Sequence, residues 1–235
     1  MTAKEIIAEL KSLGNEATKK VLLKHGAKEP FFGVKVEDLK KIQKRIKKNH
    51  QLALDLYDTG ISDAMYLAGL IADDGQMTRK DLQRWIEQAY WYMLSEYTVP
   101  WVAAGSKHGR ELALKWIQSK REHIAAAGWA TLSSLVATKD DAELDLAELK
   151  QLLQRVQKTI HEEPNRVRYA MNGFLIAVAA YVQALTDVAL EAAHKMGQVT
   201  VDMGGTACKV PYAVDYIAKV QQRGTIGKKR KTAKC

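Results

Sequence analysis

The chain is punctuated almost throughout at the spacing of a helix and hardly anywhere at that of a strand. Ile6, Ile7, Leu10 and Leu13 make one apolar stripe that stops at Gly14, and Asn15 then caps a second helix that runs through Val21, Leu22 and Leu23 to His25-Gly26. Residues 27–33, with Pro30 and Gly33, read as a linker. His50 to Tyr57 reads as a short helix closed by Thr59-Gly60, and Ser62 or Asp63 opens a run that ends at Asp73-Asp74-Gly75. Thr78 with Asp81 three residues on has capping-box form and starts a long segment to Thr98, with a boundary at Val99 because Pro100 disfavours the helical region for the residue before it. Helices are predicted at about 100–105, 108–118, 120–137, 143–162, 165–185, 187–197 and 211–222. Strict alternation is no longer than Gln198-Val199-Thr200-Val201, so no sheet is expected. Helices joined by short turns and paired every 35 to 45 residues or so imply an all-α fold of stacked antiparallel pairs over residues 1–222, with one concave face. A compact irregular bundle is the alternative that the spacing leaves open.

Between the linker and His50 lies the most strongly charged helix. From about Val36, Leu39, Ile42 and Ile46 fall on one buried stripe, while Lys40, Lys41, Lys44, Arg45, Lys47 and Lys48 lie off it. Only Glu37 and Asp38 oppose them, near the N-terminus where the helix dipole favours acids. A dense cationic face needs either solvent or a polyanion opposite, and a nucleic-acid backbone is the commonest large one. The clustering matters more than the total. The net charge of +9 includes Lys228, Lys229, Arg230, Lys231 and Lys234, and without them 31 basic side chains face 27 acidic ones. The basic run from Arg223 with Gly224 and Gly227 is expected to be a disordered arm over residues 223–235.

Two cysteines, Cys208 and Cys235, argue against a disulfide framework and for a reducing, cytoplasmic setting, and the first residues lack the apolar stretch of a signal peptide. The most apolar run, Gly173 to Val182, is about half of what a bilayer span needs, so no membrane partner is expected. Cys208 has no partner at metal-ligand spacing and the six histidines form no His-x-x-x-His pair, so no metal and no cofactor is predicted.

Chemistry concentrates in Tyr90-Trp91-Tyr92 through Trp101. If the segment from Thr78 is one helix, Leu82, Trp85, Ile86, Ala89 and Met93 form its buried stripe and Trp91 shares the polar side with Arg84, Gln88 and Ser95. Tyr92 and Glu96 are then i, i+4 neighbours, which stands a carboxylate beside aromatic rings. Ring faces attract cationic bases, and a carboxylate can stabilise positive charge developing on a sugar. The alternative is that the rings pack beneath a neighbouring helix and Glu96 meets a lysine. Further on, Arg166 and Arg168 near the start of a helix suit phosphate contacts, because exposed N–H groups add to the attraction. Val167, Met171, Phe174 and Val178 make that helix's apolar stripe. Val201 to Pro211 is an irregular loop whose adjacent glycines could form an anion-binding nest or an ordinary turn.

Phe32-Gly33-Val34 followed by a basic amphipathic helix resembles the F-x-G-[VI] signature of the AlkD-like DNA alkylation-repair family, the HEAT-like repeat alkylpurine DNA glycosylases. Aligned on Val99-Pro100, Trp91 and Tyr92 match the family's tryptophan pair and Glu96 its catalytic aspartate. A tyrosine thus replaces one tryptophan, and a longer acid the aspartate. Lys115-Trp116-Ile117-Gln118-Ser119 resembles the family's Lys-Trp-Ile-x-Ser, from which Ala126 falls where an active-site arginine is expected. Phe174 falls on an aromatic of the lesion pocket.

The resemblance implies a monomeric DNA-repair enzyme that hydrolyses the N-glycosidic bond of N3- or N7-alkylated purines in double-stranded DNA. Glu96 would be catalytic, with Trp91, Tyr92 and Phe174 at the lesion, and with Lys40, Lys41, Lys44, Arg45, Lys47, Lys48, Arg166 and Arg168 on the DNA. Two alternatives stand beside it: a noncatalytic relative that binds DNA or branched DNA, and a helical scaffold for an acidic protein partner.

Overall fold

The computed structural model describes residues 1–234, and Cys235 lies outside the described residues. Its α-helices are α1 (Ala3–Leu13), α2 (Glu16–Lys24), α3 (Val36–Ile46), α4 (His50–Tyr57), α5 (Ser62–Ile71), α6 (Arg79–Gln88), α7 (Val99–Gly105), α8 (Gly109–Trp116), α9 (Glu122–Thr138), α10 (Leu146–Thr159), α11 (Asn165–Tyr181), α12 (Thr186–Met196) and α13 (Ala213–Gln222). There is no strand among the described residues. Sequence neighbours pack as pairs, α4 on α5, α8 on α9 and α11 on α12, and α9 and α11 lie along each other as the central contact. One apolar core joins α1 and α3–α7, and a second joins α9–α13. No single helix among the described residues is long and apolar enough to cross a membrane.

Side-chain caps fix the helix starts. Thr2 with Glu5 and Thr78 with Asp81 close capping boxes, and the Asn15 and Asn49 side chains accept from Thr18 and Leu52. The Phe31-Phe32-Gly33-Val34 stretch has a structural job. Phe31 and Val34 are buried, and the carboxylate of Asp63 on α5 accepts the backbone N–H of Phe32 at 2.6 Å and of Val34 at 2.8 Å. Burial pushes the Asp63 carboxyl up, and these N–H bonds pull it back. The linker is thereby tied to the helix pair beneath it.

Between α6 and α7 the structure departs from one long helix. α6 stops at Gln88, and Ala89 turns extended at φ −72°, ψ 100°. The chain leaves the helix because its aromatics find distant partners: Tyr90 Oη donates to the carbonyls of Pro30 and Gly60, and Trp91 Nε1 to Ser62 Oγ at 2.7 Å. A π-helical turn, Met93–Thr98, then leads straight into α7. Val99 is helical at φ −68°, ψ −45°, contrary to the boundary expected before Pro100. Pro100 follows at the start of α7, inside the continuous run that begins with the π turn.

The C-terminal run, expected as a disordered arm, is laid against the protein through residue 234. The Gly227 and Arg230 N–H groups donate to the carbonyls of Ala180 and Ala137, and Ala233 is buried in the first core.

Candidate functional site

Glu96 is the centre of the site. The π turn carries it inward, where its side chain is 4% exposed and receives a bidentate bond from Arg166 of α11, Nε at 2.7 Å and Nη2 at 2.6 Å. The partner expected for a structural Glu96 was a lysine; the structure supplies an arginine from 70 residues away, whose planar fork matches both carboxylate oxygens. The guanidinium is held over two rings, 4.6 Å from the centroid of Tyr92 and 4.5 Å from that of Tyr169. Burial pushes the Glu96 carboxyl up, and the bonds from Arg166 oppose that shift.

On one side of the pair lies a cleft of about 550 Å³, walled by Tyr90, Trp91, Tyr92, Glu96, Glu122 and Arg166, with Lys28 at its edge. Trp91 is 8% exposed and its ring nitrogen is committed to Ser62, so only its edge borders the cleft. His123, on the same wall, is held below its ordinary value by burial. The structure thus brings Trp91, Tyr92, Glu96 and Arg166 together. Among the described residues no three His, Cys, Asp or Glu side chains converge as metal ligands would.

Other predicted site residues lie elsewhere. Phe174 is fully buried in the second core, 5.2 Å from the Trp129 ring, and is absent from the cleft; its place on the apolar stripe of α11 decides its environment. Arg166 is turned inward to Glu96, and its backbone N–H donates to Glu122 at 2.7 Å, so neither the side chain nor this first-turn N–H is free for a phosphate. Arg168 is half-buried. In the loop after α12, Asp202 exchanges hydrogen bonds with Asn165 and accepts from Gly204 N–H, the bonding of an ordinary turn.

On α3 and the two residues after it, Lys41 pairs with Asp38, Arg45 with Glu9 and Lys48 with Asp73, whereas Lys40, Lys44 and Lys47 have no ion-pair partner among the described residues. Lys44, Lys47 and Lys48 border a separate cavity with Thr232 and Lys234, and this cavity shares no residue with the cleft at Trp91. Tyr169 was missed as a site residue. Its only signal in the sequence is its place on the polar side of α11, three residues after Arg166.

A family model described as "DNA alkylation repair enzyme" matches residues 6–217. Two uncharacterized proteins, of Listeria innocua and Listeria monocytogenes, are each 36% identical over 229 residues, covering 95% of this chain and 99% of theirs. A solved structure described as "a new family of proteins related to the HEAT-like repeat DNA glycosylases with affinity for branched DNA structures" superposes with a TM-score of 0.92, at 40% identity and with both chains fully covered. With its helix pairs stacked in the order of that HEAT-like fold, and matched along nearly its whole length, this chain belongs to the DNA alkylation repair enzyme family.

Proposed function

We propose that the protein binds branched DNA and holds it without breaking a glycosidic bond. The observation that carries this reading is the commitment of Glu96. A carboxylate that stabilises a sugar cation must stand free of a competing positive charge at the moment of reaction. Here both oxygens are held by Arg166, itself fixed between two tyrosine rings. Ala126, where the resemblance places an arginine, is fully buried in the second core and has no side-chain donor. The affinity for branched DNA described for the 40%-identical solved relative supports the choice of ligand. Lys40 and Lys44 on α3 and Lys47 just past its end, all unpaired, supply cations for phosphates.

A mobility-shift titration with a four-way junction and a linear duplex of equal length tests this. The junction is expected to bind more tightly, with affinity falling as salt rises. The double variant Lys44→Glu with Lys47→Glu should weaken both complexes and flatten the slope of log affinity against log salt by about 2. Equal affinity for junction and duplex contradicts the proposal, and so does a salt slope the variant leaves unchanged.

A further inference from the structure

The C-terminal strap is cationic throughout: residues 223–234 contain Arg223, Lys228, Lys229, Arg230, Lys231 and Lys234 and no acid. Two of these lysines fasten it. Lys229 Nζ donates to the Val136 carbonyl at 2.8 Å and meets Asp141 at 2.7 Å; Lys234 Nζ donates to the Ala72 carbonyl at 2.9 Å and meets Asp74 at 2.7 Å. Both fasteners sit at the C-terminal ends of helices, α9 and α5, where free carbonyls and the negative end of the dipole receive a cation. Arg223, Lys228, Arg230 and Lys231 remain exposed, with no ion-pair partner among the described residues.

Strap, α11 and α13 border a trough that reaches Glu96 and has no part of Trp91 in its lining. One part, about 340 Å³, is bordered by Glu96, Tyr169, Gly173, Tyr181 and Arg230; a second, about 760 Å³, shares Tyr169, Gly173, Tyr181 and Arg230 and adds Tyr216, Arg223 and Lys228. Tyr216 is 48% exposed. The floor is the backbone of α11 at Gly173, where an added Cβ would meet nothing within 4 Å.

We propose that this trough takes a single-stranded stretch of nucleic acid, the unpaired arm that a forked branch carries and a fully paired junction does not. Tyr181 and Tyr216 offer rings to bases, beside Tyr169, one of whose faces is already taken by Arg166, and Arg223, Lys228 and Arg230 meet phosphates. Aromatic rings interleaved with unpaired cations are the combination that holds single strands without regard to sequence. A trough of a few hundred Å³ has room for a few nucleotides and not for a double helix. The inference rests on the branched-DNA reading and names the part of the branch that is gripped.

Fluorescence anisotropy with three labelled DNAs tests it: a blunt duplex, the same duplex with a single-stranded arm, and the arm alone. In the wild-type protein the arm is expected to raise affinity over the blunt duplex about tenfold. Gly173→Leu fills the trough, and leucine favours a helix more than glycine does, so the fold should be retained. This variant should lose the gain while binding the blunt duplex as before, with its thermal melt confirming the fold. Tyr216→Ala, at an exposed position, should lose part of the gain. Gly173→Leu binding the armed duplex as wild type does overturns the trough assignment alone, as does polyglutamate displacing the arm as well as an unlabelled oligonucleotide does. If the wild-type protein binds none of the three DNAs and no junction, the branched-DNA reading falls with it.

Discussion

Arg166→Ala is expected to lower the melting temperature by about 10 °C, because stranding one charge of a buried ion pair costs roughly 3–5 kcal/mol in a chain of this size. The Glu96 side chain is 4% exposed, and both oxygens take their hydrogen bonds from Arg166. Removing the guanidinium leaves a carboxylate that burial already disfavours, and takes from Tyr92 and Tyr169 the cation stacked on their faces. Arg166→Lys restores a charge without the two-pronged fit, so a partial loss is expected. Replacing both partners with apolar residues, Glu96→Leu with Arg166→Met, should recover most of the stability, since neither charge is then buried alone. A melting temperature within about 1 °C of wild type for Arg166→Ala would mean that the pair is not holding the π turn against α11.

Gly33→Ala is expected to cost about 2–4 kcal/mol, from the left-handed backbone and from crowding together. Gly33 has φ +77°, and a Cβ there would stand 2.8 Å from the Asn15 carbonyl oxygen and 2.9 Å from the Lys19 backbone nitrogen. The neighbours cannot drift away to relieve this, because Asp63 holds Phe32 and Val34 on either side. A urea titration should show the midpoint falling with little change in slope. An unchanged midpoint would show that the linker is not rigidly fastened to α5.

The helical architecture was legible because its signals are local. The Thr78–Asp81 box, the Asn15 cap and the apolar stripes of α3 and α11 each depend on residues within a turn or two, and each lies where its spacing puts it. Periodicity also placed Phe174 in the core, where it is found, although family resemblance set it at a lesion. Legibility failed where long-range bonds override local preference. Tyr90 and Trp91 break a helix that propensity would have continued, because Pro30, Gly60 and Ser62 offer acceptors that no window of the sequence contains. Arg166 looked like a phosphate ligand at a helix start, and its carboxylate partner lies 70 residues earlier. Composition made the C-terminal run an arm in solvent. What anchors it is the carbonyl ends of two helices, each with an aspartate nearby, and these come together only in the folded chain.

Glu96 borders two separate concavities. One is a narrow cleft under Trp91; the other is the trough that runs past Tyr169 to the strap. At the strap's far end Thr232 and Lys234 share a cavity with Lys44 of the basic helix and with Lys47 and Lys48 just beyond it. The pair locks α11 to the π turn, with Glu96 bordering both cavities and Arg166 the cleft alone.

We propose Glu96 as a structural anion in a protein that grips DNA without cutting a base from it. This is tested most directly by incubating the protein with methylated duplex and branched DNA and measuring released 7-methylguanine by mass spectrometry. The same preparation should be shown to shift branched DNA. Release no faster than spontaneous depurination is expected, for the wild type and for Glu96→Gln alike. Release well above that background, abolished by Glu96→Gln, would contradict it.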